Sequence, residues 1–233
     1  MSKRILLGFV ASAAIILWIG AGTDLDFALA RTMYDASGRG FPWRHTWFAE
    51  AFSHRFLRVL SWAIAAGVGL VVAWDAASRG RRLPPWWRKR LRTVGLAAVL
   101  VPLTISCLKY LSASHCPWDL VDFGGTERYV RLLQAIVPGT PAGHCMPAGH
   151  ASSALWMMSV MVFWLPHKPR TAALVGMVMA IIGFGVGWVQ QMRGAHFLTH
   201  TLWSIWIASA IVGLLCARLL REERAAPAAA VLT

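Results

Sequence analysis

Four of the eight histidines in this 233-residue chain fall in two tight groups, His144 with His150 and His196 with His200. Each group borders a long apolar stretch and is flanked by small residues. Imidazoles exchange protons near neutral pH, and ionisable groups beside membrane helices are functional candidates by default. The first group reads Cys145-Met146-Pro147-Ala148-Gly149-His150-Ala151-Ser152-Ser153. Pro and Gly ahead of an apolar run mark a helix start, whose free N–H groups attract an anion. The bland alternative is a capping turn with an incidental histidine. The second group reads Arg193-Gly194-Ala195-His196-Phe197-Leu198-Thr199-His200. A spacing of four puts His196 and His200 on one helical face, where one imidazole can orient the other and fix its tautomer. Arg193 adds a permanent cation, and Gly194 and Ala195 let a ligand approach the backbone. A third piece is Lys109, which ends another apolar stretch and is separated by six residues from Cys116-Pro117.

The elements that must position these side chains are membrane helices. Hydrophobic residues make up 57% of the chain, charged residues only 14%, and mean hydropathy is +0.54. That balance excludes a soluble nucleic-acid binder despite a net charge of +13, because the basic residues are scattered between apolar runs. It equally excludes a disordered chain and a small disulfide scaffold. A bilayer core needs roughly 20 apolar helical residues. Six segments meet or approach this, at about 5–21, 57–77, 93–108, 150–165, 171–189 and 201–219, the third and fourth being short. The expected fold is all-α, one integral membrane domain over 1–233 with six transmembrane helices. The first segment reads as an anchor, since it outlasts a signal-peptide core and no small-residue cleavage site follows.

Fourteen of the 23 Lys and Arg residues lie at 3–4, 79–92, 168–170 and 218–224. Both termini are therefore expected in the cytoplasm and the histidine groups on the outer face. Trp18, Trp74, Trp86, Trp87, Trp156 and Trp188, near span ends, fit an interfacial belt. In the first outer loop, Phe41, Trp43, Trp47, Phe48 and Phe52 recur at loosely helical spacing and suggest an amphipathic surface helix.

Between Lys109 and His200 the chain resembles the type 2 phosphatidic acid phosphatase (PAP2) superfamily. The resemblance rests on a Lys separated by six residues from a dipeptide ending in Pro, a Pro-x-Gly-His, and a His with a partner four residues later. It implies a metal-independent, cofactor-free lipid-phosphate phosphatase at the outer face of a bacterial inner membrane. His196 would attack phosphorus to form a phosphohistidine, His150 would protonate the leaving group, and His200 would orient His196. Lys109, Arg193 and Gly149 would bind the phosphate. The implied partners are a lipid phosphate and membrane lipids, with no nucleic acid and no obligatory protein partner. The same intermediate would serve a lipid phosphotransferase. Four clamp positions depart from the family pattern: Cys116 replaces Arg, Ala148 replaces Ser, Gln190 follows Val189 where Ser-Arg is usual, and His200 replaces Asp. Arg193, Arg128 and Arg131 are candidates for a missing guanidinium, and Asp119 or Asp122 for the missing carboxylate.

Cys116 and Cys145 share an outer loop in what would be an oxidising compartment, so a disulfide is expected there. Closing a loop of about 30 residues stabilises by about 3–4 kcal/mol in the chain-entropy account. Cys107 and Cys216 fall inside spans as apolar fillers. Two rival readings use the same residues: a metal site built from histidines and thiols, and a non-catalytic lipid-binding protein.

Overall fold

The computed structural model describes residues 3–38, 40–135 and 138–230. Among them the chain is helical, with two isolated β-bridges and no named strand. Helix α1 spans Lys3–Gly22 and the short α2 spans Leu25–Thr32. A π-helical segment, Phe48–Phe56, runs without a break into α3, Leu57–Ala77. Helix α4, Pro85–Tyr110, opens with a proline at its first position, where no N–H is needed. Helix α5, Gly149–Leu155, continues as a 3₁₀ stretch over Trp156–Trp164. Helices α6, Pro169–Met192, and α7, Leu198–Ala230, complete the bundle.

Among the described residues, five helices are long and apolar enough to cross a membrane: Lys3–Gly22, Phe48–Ala77, Pro85–Tyr110, Pro169–Met192 and Leu198–Ala225. The expected count of six is thereby corrected to five. The third segment is longer than expected, because the basic turn from Arg88 to Arg92 belongs to the helix and only lowers its hydropathy. The fourth is the exception. Its rise per residue increases where α5 tightens to 3₁₀ geometry, so the composite still reaches about 28 Å. It is enclosed by α4, α6 and α7, and Ala151, Leu155, Trp156, Met158 and Val162 are buried along it.

The main core joins that composite to Val94, Ala97, Val101 and Ile105 of α4 and to Ala208, Val212, Cys216 and Leu219 of α7. Trp156 belongs to this core and not to the expected interfacial belt. It is 2% exposed, and its indole N–H donates to Ser61 Oγ at 2.9 Å. Trp18, Trp74, Trp86 and Trp87 are exposed. A second cluster caps the histidine end, where Ala30, Phe41, Leu120, Phe123 and Phe197 are buried with Phe27, Tyr34 and Tyr129 around them. The separate amphipathic helix expected in this region is absent. Phe41 turns into the cap, while Phe48 and Phe52 stack on the π-helical extension of α3.

Candidate active site

Each functional side chain is delivered to the capped end by a helix terminus. Helix α6 ends at Met192, and Gly194 turns the chain with a φ of 76°. Any Cβ there would also strike the Phe41 ring, so position 194 requires glycine for both backbone and space. The Gly194 and Ala195 N–H groups return to the Gln191 and Gln190 carbonyls at 2.8 and 2.9 Å. His196 follows in this tight connection, 2% exposed. Helix α7 then starts under a cap borrowed from α2: the Thr199 N–H donates to Asp26 Oδ1 at 3.0 Å, and the Thr199 hydroxyl donates to the same carboxylate. Helix α5 is pinned beside it, because the Ala148 N–H donates to the His200 carbonyl at 3.0 Å and Ser204 Oγ donates to the Ala148 carbonyl.

These ties bring the two motif histidines together across 46 residues of sequence. His150 Nδ1 lies 3.4 Å from His196 Nε2. The other nitrogen of His196 turns toward Cys145, with Nδ1 at 3.5 Å from Sγ, and His196 also hydrogen-bonds the Cys145 backbone. Burial holds the His196 imidazole well below the ordinary histidine range. The neighbouring His150 and His200 and the Lys109 cation push the same way, and only the Cys145 hydrogen bond opposes them. His196 is thus a neutral base at neutral pH.

His200 is a neighbour of His196, with ring centroids 5.8 Å apart. Its Nε2 is paired with Ser114 Oγ at 3.2 Å, and its buried Nδ1 has no hydrogen-bond partner among the described residues. Cys145, and not His200, therefore makes the polar contact behind His196. Cys116 and Cys145 are joined by a disulfide that ties the segment after α4 to the segment before α5. Their sulfurs and a His196 nitrogen lie within 4.8 Å of one another, but a disulfide offers no thiolate to a metal.

Lys109, at the last turn of α4, reaches the near side of His150. It lines a cavity of about 560 Å³ with Gly149, His150, Ser106 and Arg58. Farther from these polar groups the wall becomes apolar through Val59, Trp62, Ala65, Ala98 and Pro102. A Cβ at Gly149 would sit 3.7 Å from the Lys109 side chain. Arg193 does not line this cavity and is already engaged: its Nε donates to the Arg44 carbonyl at 3.1 Å and its Nη1 to Gln190 Oε1 at 2.9 Å. Ala148 is buried against α7. Arg131 pairs with Asp24, Asp119 caps the turn at Cys116, and His144 stacks on Tyr110.

Two groups at the site escape the sequence reading. His54, on the π-helical segment, packs its ring 4.4 Å from that of His150, and its buried Nδ1 has no hydrogen-bond partner among the described residues. Arg58, one turn on, lines the Lys109 cavity. Their only signal in the sequence is a pair of polar side chains four apart at the start of a span.

The family model described as the PAP2 superfamily matches residues 90–224, more than half of the chain. Searches of curated proteins and of solved structures return no match.

Proposed function

From its place in the PAP2 superfamily, to which the chain belongs, we propose that it is a phosphatase acting on a lipid phosphomonoester or pyrophosphate through a phosphohistidine. The observation that carries this reading is the contact between His150 and His196 beside a cavity that is cationic at one end and apolar at the other. The cationic end suits a phosphate and the apolar end suits the first carbons of a lipid tail.

In this mechanism His196 Nε2 attacks phosphorus, and the bond from phosphorus to the lipid oxygen breaks in line with the new P–N bond. His150 donates a proton to the departing oxygen. Water then attacks the phosphohistidine and gives its proton to His150, and inorganic phosphate leaves. A lipid hydroxyl in place of water would make the same intermediate a transferase step. Attack and protonation from opposite sides need the two ring nitrogens about 7 Å apart. The 3.4 Å contact must therefore open as the phosphoryl group enters. Lys109 and the backbone at Gly149 hold its oxygens, Arg193 contributes positive potential from the far side, and His200 supports the packing behind His196.

The test is phosphate release by the purified protein from a panel of lipid phosphates in detergent with a chelator present. Wild type is expected to release phosphate and His196→Ala to lose at least a thousandfold in rate, the scale on which nucleophile loss acts. Equal rates for the two proteins would overturn the reading.

A further inference from the structure

The cavity at His150 holds two cations and no acid. Asp and Glu are absent from its lining, while Arg58 and Lys109 both contribute. Among the described residues neither side chain has a hydrogen-bond or ion-pair partner, in contrast to the neighbouring Arg55, which is bonded to Glu50 at 2.6 Å. Two uncompensated cations beside an apolar wall leave a positive potential that an anion would relieve. Their origin differs. Lys109 comes from the end of α4, and Arg58 from the start of α3, directly after the π-helical turn whose His54 rests on His150. His54 and Arg58 are four apart and so share a face. A π-helical turn is a common local distortion at functional sites, and here it hands that face to the cavity.

We propose that Arg58 is a phosphate ligand of the active site, supplying from α3 the guanidinium that the motif at Cys116 lacks. This rests on the phosphatase reading for its purpose, though not for its test. Arg58 reaches the same cavity as Lys109 and His150, whereas Arg193 is tied to Arg44 and Gln190. The planar guanidinium binds two oxygens of one phosphate, with Lys109 acting as a point charge beside it.

Binding of inorganic phosphate to the full-length protein, in lipid-free detergent, separates this role from an arginine that merely rests against bulk lipid headgroups. Arg58→Ala is expected to weaken phosphate binding about ten- to a hundredfold, with Arg58→Lys recovering part of the loss. Arg55→Ala should bind as wild type does. Thermal unfolding midpoints within a few degrees of wild type establish that the variants are folded. Unchanged phosphate affinity in folded Arg58→Ala, or no phosphate binding by wild type, overturns the proposal. Arg58-dependent phosphate binding by a protein that releases phosphate from no lipid would sink the phosphatase reading and leave the ligand assignment standing.

Discussion

His196 has the attributes of a nucleophile that needs no base. It is buried beside Lys109, and burial outweighs the opposing hydrogen bond to Cys145, so it stays neutral well below the ordinary histidine range. A neutral attacking imidazole is then available throughout neutral pH, and the acid limb of kcat/KM should fall below the ordinary histidine value of 6.5. The same depression couples stability to pH. In the unfolded chain His196 takes up a proton near its ordinary value, whereas in the folded protein it resists until much lower pH. Stability is therefore full above about pH 6.5 and declines as pH falls toward the folded value. We expect the thermal midpoint in detergent to drop between about pH 7 and pH 5, and the drop to be shallower in His196→Gln. An identical slope in that variant would remove His196 as a source of the effect. The motif histidines were legible in the sequence because their chemistry and spacing are local. His54, Arg58 and Ser114 were not, because each reaches the cluster only through tertiary contact from a segment tens of residues away.

Among the elements, the composite of α5 and its 3₁₀ extension bears most of the positional demand. It carries His150 in its first turn, ends where the Leu165 carbonyl accepts a hydrogen bond from Arg90 at 2.6 Å, and is covered along its length. Hydropathy located this segment but could not show its tightened pitch, since a run of apolar residues says little about winding. Helix α6 approaches it and α7 through small residues. A Cβ at Gly183 would strike Leu155, and one at Gly187 would strike Thr201, whose hydroxyl accepts a hydrogen bond from Gln191 at 3.2 Å. Close approach through small residues is the usual basis of helix packing in membranes. Gly187→Val should push α7 away at the turn that carries His200, since neither partner there is the flexible end of a long side chain. The expected result is a lower thermal midpoint and at least a tenfold loss of phosphate release. Gly185→Val, where a Cβ meets nothing within 4 Å, should leave both near wild type. Similar losses at 185 and 187 would mean that bulk alone, and not contact with α7, does the damage.

At the scale of the whole molecule, the histidine cluster and the larger share of the basic residues occupy opposite ends. The histidine cluster sits where α1 ends, since the Leu132 N–H donates to the Gly20 carbonyl there, and where α7 begins. The far end gathers the basic turn before α4 and the first turns of α4, where Arg88 is paired to Asp75 at 2.7 Å and the fully buried Arg90 to Glu223 at 2.6 Å. Asp75 and Glu223 thus neutralise the two arginines that the fold draws inward, while Arg79, Arg81 and Lys89 make no ion pair among the described residues. Charge asymmetry of this kind was readable from sequence because it depends only on which spans the basic residues flank. The aromatic cap was not readable, since Phe27, Phe41, Phe123 and Phe197 meet from three separate segments. The positive-inside rule predicts the basic end in the cytoplasm and the histidine end outside, an orientation that labelling tests. In intact cells, an impermeant maleimide should label Ala36→Cys, beside the cap, and should reach Arg81→Cys only after the membrane is permeabilised. Labelling of Arg81→Cys alone in intact cells would invert the molecule. The site would then face the cytoplasm, where the disulfide between Cys116 and Cys145 would meet a reducing environment, so the labelling pattern also decides whether that bond can persist beside His196.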